Sequence, residues 1–354
     1  MEALVFKNFF GKKKMQLIGL DIGTRYIKAV LLEKDKDQIK VQAVACEAIN
    51  GNAFAERDIK DFEAVSQALR KIKLVMKSKH KFVAIAIAGP SVLSKVVYME
   101  PDQSDFELES QIELEAESLI PYPLDEVYID FEELNTSETH SNKVEVLLSA
   151  AHKDMIDGRR TLLGEVSYEA HIVDIETYSL EAAIKQFYPK RLEQAVCCIN
   201  IGATLLQICV VSNKQLTYTK EHSFGVDSLI QDLGMMYTLE RAEVEQQLQA
   251  DTLPENWKQD AYPLFLSNLQ QHISRALQTY ISARQATRPT EILISGGGSN
   301  LPNIAKNLAA ELAIDVQVFN PFAEMKISEQ AAKQNIMNYA PQLAIAAGLA
   351  SRSF

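Results

Sequence analysis

No run in this 354-residue chain approaches the about eighteen uncharged apolar residues that a membrane-spanning helix requires. The opening stretch MEALVFKNFFGKKKM also lacks the order of basic, apolar and cleavage regions that marks a secretory signal. Cysteine is scarce. The four present, Cys46, Cys197, Cys198 and Cys209, lie in apolar runs and none has metal-ligand spacing, so they read as small core hydrophobes in a reducing compartment, which points to the cytoplasm. An excess of basic charge is missing too. With 36 Lys and Arg against 47 Asp and Glu, the net charge of −11 excludes a general nucleic-acid binder, which needs a basic face to neutralise phosphates.

What is present can bury a substantial core: 47% of the residues are hydrophobic and 23% charged, and the length predicts two domains or a body divided into lobes. Strand patterns at Gln16–Leu20, Tyr26–Glu33 and Ile39–Cys46 form a β-meander, followed by a helix over Asp61–Met76 and the strand KFVAIAIAG. A second segment opens at Ser94 with the strand KVVYME and the acidic helix SDFELESQIELEAESLI. The strands VYIDFEEL and KVEVLLSAAH and the helix KDMIDGRRTLLGEV complete it. From Ala170 come the strand AHIVDIE, the helix TYSLEAAIKQF and a second meander, QAVCCINIG, LLQICVVSN and QLTYTKEHS. A helical region over Gly225–Thr287 precedes TEILISGGGSNLPNIAKNLAAEL, a strand, a glycine-rich turn and a helix. The first residues carry Leu4, Val5, Phe6, Phe9 and Phe10 ahead of Lys12, Lys13 and Lys14. That pattern suits an apolar tail packed on its own domain or frayed, or one that touches a bilayer surface or a membrane partner.

The two meanders share a layout. Each has a first turn of polar residue, aliphatic and glycine, DIGT at Asp21 and NIGAT at Asn200, and duplication on this scale predicts two lobes whose turns converge on one cleft. A tight glycine turn lets backbone N–H groups approach an anion with no Cβ in the way. Around the first turn, Thr24 adds a hydroxyl, Lys28 a cation, and Asp21 a carboxylate able to hold a metal-bound water, which together make a phosphate clamp. The plainer reading is that Gly23 only closes a hairpin and Lys28 is a surface amine. LISGGGS at 293–299 adds a strand entering a triple-glycine turn before a helix, suited to a nucleobase or an α-phosphate.

In order and spacing, DIGTRYIK, NIGAT and LISGGGS resemble the phosphate 1, phosphate 2 and adenosine motifs of the actin, heat-shock chaperone and sugar-kinase ATPase superfamily. Within it, the chain resembles the PilM family of type IV pilus assembly over nearly its whole length. The stretches that carry the resemblance are LIGLDIGTRYIKAVLLE, QIELEAESLIPYPLDEVYIDFEEL, HIVDIETYSLEAA, SGGGSNLPNIAKNLAAEL with VFNPF, and YAPQLAIAAGLASRSF; IPYPLDEV, outside the nucleotide motifs, is the most specific. The resemblance implies an α/β, actin-like (ribonuclease H-like) two-lobed ATPase fold with an FtsA-type inserted subdomain. Its divisions are a tail over 1–14, a first lobe over 15–93, the inserted subdomain over 94–166, and the first lobe continued over 167–192. The second lobe follows over 193–224, with a helical subdomain over 225–289 and the adenosine region and C-terminal helix over 290–354.

Carried over by position, the resemblance implies that Asp21 organises Mg²⁺ and its waters while Gly23, Thr24 and Lys28 hold the β- and γ-phosphates of ATP. Gly202, Ala203 and Thr204 close from the other lobe, and Gly296, Gly297, Gly298 and Ser299 pack on adenosine. Glu243, in AEVEQ, corresponds to a ribose contact. Glu176 stands where a relative's glutamate positions water, which makes it and Asp21 the catalytic candidates; a strand-end carboxylate capping its own helix is the alternative. Two departures bear on activity. Asn200 replaces a usual aspartate and supplies neither charge for Mg²⁺ nor a proton acceptor, so slow or absent hydrolysis is expected. Gln246 replaces an amine that contacts the base, which alters the expected adenosine affinity.

On the acidic helix, Leu108, Ile112 and Leu119 recur at helical spacing while Glu109, Glu113 and Glu117 share another face. Such a face is ordinarily solvated. The resemblance offers a second reading, a groove for the apolar, arginine-containing cytoplasmic N-terminal tail of PilN, with other pilus platform proteins as further partners. The expected function is therefore an ATP-binding adaptor in the cytoplasm, held at the inner face of the inner membrane through its partners. The alternatives are a small-molecule kinase of the same fold, for which no aspartate base stands out, and an FtsA-like division scaffold. The latter family ends in a linker and an amphipathic helix, whereas this sequence stops at GLASRSF.

Overall fold

Two β-sheets built to one plan face each other across a pair of helices. The structure, a computed structural model, describes residues 15–36, 38–101, 103–136, 142–188, 194–284 and 286–354. The tail expected over 1–14 lies outside the described residues. In the first sheet the strands run in the order Glu169–Ile175, Phe82–Ile87, Ile18–Ile22, Tyr26–Asp35, Gln38–Ala48 and Lys326–Ile327. In the second the order is Gln215–His222, Leu206–Ser212, Val196–Ile201, Glu291–Ser295 and Asp315–Val318. Each sheet has a central strand, Ile18–Ile22 or Val196–Ile201, hairpinned to the next strand and parallel to a later one, Phe82–Ile87 or Glu291–Ser295. Both central strands are buried along their whole length, which is why IGLDI and VCCINI read as nearly unbroken apolar runs.

The sheets are joined by one core. Leu17, just before the first sheet's central strand, Ala84 and Ala86 of that sheet, and Val196, Cys198, Cys209 and Leu293 of the second pack on Leu180, Ala183 and Ile184 of helix Glu176–Phe187. Ile345 and Leu349 of helix Ala344–Ser351 complete this layer. The two helices touch at backbone distance: a Cβ on Gly348 would lie 1.8 Å from the Ser179 carbonyl oxygen, so only glycine fits there. AIAAGLA is therefore apolar and small on every side because the helix is enclosed on every side.

A third sheet, of strands Val92–Met99, Val144–His152 and Val127–Thr136, is antiparallel and carries helix Asp105–Leu119. Val97, Met99, Val146 and Leu148 pack on Leu108, Ile112 and Ala116, giving this segment a core of its own. Ala116 stands in the buried row; Leu119, expected there, packs at its edge. Ser104 and Glu107 close a capping box that fixes the helix start. Helix Lys153–Glu165 follows in sequence, but its Leu162 and Leu163 belong to the first-lobe core with Ile18, Leu69 and Ile85. The helical region expected over 225–287 is four helices, Val226–Tyr237, Arg241–Ala250, Trp257–Asp260 and Tyr262–Arg284. The first two end on left-handed residues, Thr238 and Asp251.

Candidate functional site

Both central strands end at the same place in the molecule. Ile18–Ile22 runs into the turn at Gly23, whose N–H donates to the Tyr26 carbonyl at 3.1 Å; Val196–Ile201 runs into the turn at Gly202, whose N–H donates to the Leu205 carbonyl at 3.0 Å. The turns meet. Thr24 Oγ1 and Thr204 Oγ1 are 3.3 Å apart. Hairpin closure uses one amide of each turn and leaves the N–H groups of Thr24, Ala203 and Thr204 without a protein acceptor among the described residues. Unpaired amides on two adjoining glycine turns are suited to the oxygens of an anion.

Asp21 and Lys28 are cross-strand partners in the first hairpin, with Nζ 2.6 Å from Oδ2. Burial alone would lower the Lys28 pKa, but the charge and hydrogen bond of Asp21 outweigh it, and the net shift is upward. The group is therefore an ammonium at neutral pH. Glu176 opens its helix directly after the first-sheet edge strand, and its carboxylate is ion-paired with Arg57. Burial pushes the Glu176 pKa up; Arg57 opposes the rise, while Asp21 and Glu221 add to it. Arg57 sits beside Arg159, whose buried guanidinium is brought down to about 10 by its burial and by the charge of Arg57.

The second lobe contributes a row of polar side chains. Ser295 Oγ donates to Asn200 Oδ1 at 3.4 Å, Asn200 Nδ2 to Gln207 Oε1 at 3.0 Å, and Gln207 Nε2 to Glu221 Oε1 at 2.9 Å. The other Glu221 oxygen accepts from the Gly89 N–H of the first lobe at 3.1 Å. Further ties cross the cleft. Arg25 donates to Asp227 through Nη2 at 2.9 Å and Nε at 3.1 Å, Arg241 also pairs with Asp227, and Gln249 donates to the Tyr26 hydroxyl at 2.9 Å.

The structure thus gathers Asp21, Gly23, Thr24, Lys28 and Glu176 with Gly202, Ala203 and Thr204. The triple-glycine loop lies against the second turn. Gly296 has φ +83°, and a Cβ there would stand 2.5 Å from the Ile201 carbonyl oxygen and 2.6 Å from Asn200 Oδ1. Gly298 and Ser299 are buried, and Ser299 Oγ donates to the Gly296 carbonyl at 2.7 Å. Gly297 alone of the four is exposed, with open space beside it. Glu243 is exposed, and its carboxylate accepts from the Glu240 N–H at 2.9 Å, closing a capping box at the start of its own helix. Glu109, Glu113 and Glu117 lie outside the cleft, exposed on the helix of the third sheet, with exposed Phe106 and Leu114 near them.

Arg57, Gln207, Glu221 and the Arg25–Asp227 pair escaped the sequence reading. Gln207 left a trace, a lone amide inside the apolar LLQICVV. Arg57 left none, because its partner is 119 residues away.

The profile of the family described as type IV pilus assembly protein PilM matches residues 19–354. The chain belongs to this family. Its fold is similar to that in a solved PilM–PilN type IV pilus biogenesis complex, with 20% identity and a TM-score of 0.84 over 96% of this chain and 99% of that one. It is also similar to the ethanolamine utilization protein EutJ from Carboxydothermus hydrogenoformans, at 14% identity and a TM-score of 0.58 over 95% and 89% of the two chains. At these identities the likeness concerns the fold, which is the actin-like one. No helix among the described residues is long and apolar enough to cross a membrane.

The Asp21–Lys28 pair gives a direct test of site electrostatics. Lys28→Met is expected to destabilise the protein by about 3 kcal/mol because it strands a buried carboxylate, and adding Asp21→Asn is expected to restore most of the loss. Urea denaturation of the wild type, Lys28→Met and the double variant measures it. A double variant no more stable than Lys28→Met would show that the pair is not coupled.

Proposed function

We propose that the protein is a nucleotide-bound adaptor of type IV pilus assembly, with ATP held between its lobes and the cytoplasmic N-terminal tail of PilN docked on its body. The observation that carries the nucleotide reading is the 3.3 Å approach of Thr24 to Thr204, which sets two glycine turns with unpaired amides side by side. In this reading those amides and Lys28 bind the β- and γ-phosphates, and exposed Gly297 gives a flat seat for the adenine side. Lys28 already lies against Asp21, so phosphate binding exchanges one anionic partner for another without desolvating a new cation.

No cluster of three His, Cys, Asp or Glu side chains that could hold a metal occurs among the described residues. Asp21 is the residue that would hold water on a Mg²⁺ ion accompanying the phosphates. When bound, the ion neutralises phosphate charge.

The residues favour holding over hydrolysis. Asn200 is neutral, and its amide is spent on Gln207 and Ser295. Glu176, the candidate to orient water, faces Arg57, which competes for its carboxylate. The PilN reading rests on family membership and on the similarity to a PilM–PilN complex. The helix Asp105–Leu119 offers that tail a carboxylate row at Glu109, Glu113 and Glu117 together with apolar Phe106 and Leu114. Binding a membrane protein's tail would hold the adaptor in the cytoplasm at the inner face of the inner membrane.

Mg-ATP is expected to raise the Tm of nucleotide-free protein, since ligand at a hundred times its dissociation constant stabilises by about 2.7 kcal/mol. Absence of any shift at millimolar ATP would contradict the nucleotide reading. Phosphate release should stay far below about 1 per second, the low end of ordinary enzymes, and a wild-type rate at or above that would overturn the holder role. For the partner, calorimetric titration of a PilN tail peptide is expected to show binding that Glu109→Gln, Glu113→Gln and Glu117→Gln together weaken, more so at low salt. Unchanged affinity at both low and high salt would remove this helix from the interface.

A further inference from the structure

The end of the first lobe remote from the cleft has a composition unlike the rest of the chain. Residues 70–81, RKIKLVMKSKHK, hold six of the 36 Lys and Arg, one His and no acid, in a protein of net charge −11. They run from the last turns of helix Phe62–Met76 into strand Phe82–Ile87, whose other end leads to Gly89 at the cleft. Six strand residues separate the two places by about 20 Å.

Part of this charge has local work. Arg70 pairs with Glu63 at 3.2 Å, and Lys81 with Glu169 at 3.4 Å. Lys73 donates to the Val166 carbonyl at 2.6 Å and lies over the Tyr168 ring. Lys71, Lys77 and Lys79 are exposed and have no anionic partner among the described residues. Lys77 interacts favourably with the negative end of its helix, but Lys71 and Lys79 lie outside that last turn. In the middle of the group Leu74 is 73% exposed and lines a surface depression with Arg70, Lys73, Lys77 and Ser78.

Strand Ile18–Ile22 is parallel to Phe82–Ile87 with Ile18 opposite Val83, so the described chain also begins at this end of the sheet.

We propose that this end of the first lobe is a contact surface for an anionic lipid bilayer, with Lys71, Lys77 and Lys79 among the head groups and Leu74 at the interface. The unpaired cations are all lysines, hydrated point charges on flexible stems, which match a diffuse negative surface better than the fixed carboxylates of a protein partner. The acidic remainder of the molecule is repelled by the same surface, so the charge asymmetry also sets the orientation. The proposal stands apart from the nucleotide and PilN readings, because the patch lies at the opposite end of the sheet from the cleft and outside the third sheet.

Sedimentation of the full chain with vesicles of phosphatidylcholine alone, or with one third phosphatidylglycerol, tests it. Binding is expected only to the anionic vesicles and should fall with added salt. Lys71→Gln, Lys77→Gln and Lys79→Gln together should lower the partition coefficient at least about tenfold, since one lysine near such a surface contributes up to about fivefold. Leu74→Ser should lower the part that persists at high salt, and the Mg-ATP shift in Tm should be the same in all variants. No binding, equal binding to both vesicle types, or unchanged binding by the triple variant would overturn the proposal. So would binding of poly-glutamate, lost in the triple variant, by a protein that ignores vesicles; that result would make the patch a site for an acidic protein.

Discussion

Two hairpin turns, 180 residues apart in the chain, have to meet tip to tip, and most of the architecture serves that meeting. The contact of Thr24 with Thr204 is only a pair of hydroxyls and contributes little by itself. It exists because each turn caps a strand buried on both faces, and because helices Glu176–Phe187 and Ala344–Ser351 hold the sheets at a fixed separation. Gly348 sets that separation: with a Cβ at the Ser179 carbonyl the helices could not approach, and the turns would stand further apart. Bringing two glycine turns together leaves several amides with no partner inside the protein, an arrangement that costs stability unless water or an anion satisfies them.

The polar groups around the turns are shared between lobes. Arg25 of the first turn reaches Asp227 of the second lobe, and Glu221 of the second lobe reaches the Gly89 N–H of the first. Gly89 has a further role. Its carbonyl accepts from the Val92 N–H at 3.0 Å, where the strand Val92–Met99 begins. One residue therefore takes part both in the row from Ser295 through Asn200, Gln207 and Glu221 and in the start of the third sheet, which carries the acidic helix. The cleft and the third sheet are mechanically adjacent although the two turns and the acidic helix lie on different sheets.

Much of the fold was legible in the sequence. Continuous apolar runs ending in glycine turns gave the central strands, and the repeated meander gave the two lobes, because burial on both faces and tight hairpins leave strong local signatures. The acidic helix was legible from Leu108 and Ile112, whereas its Ser104 cap was not read. Three kinds of feature were not. Trp257–Asp260 and the breaks at Thr238 and Asp251 are set by packing within the helical region, where the apolar pattern barely changes across each break. Glu243 was read only as a ligand contact, and the capping box it closes with Glu240 came from the geometry. Arg57, Glu221 and Asp227 act through partners remote in sequence, so no motif contains them. The grouping of Asp21, Lys28, Thr24 and Glu176 with Gly202–Thr204 was expected from motif order, whereas the enclosure of Gly298 and Ser299 behind Ile201 was not.

Amide hydrogen exchange across the two turns, in nucleotide-free protein with and without Mg-ATP, tests the central claim most directly. If the free N–H groups of Thr24, Ala203 and Thr204 converge on one ligand, the first and second turns should become protected together and at the same ATP concentration, while residues 70–81 at the far end of the lobe do not change. Protection of one turn without the other, or of neither while ATP binds, would contradict it.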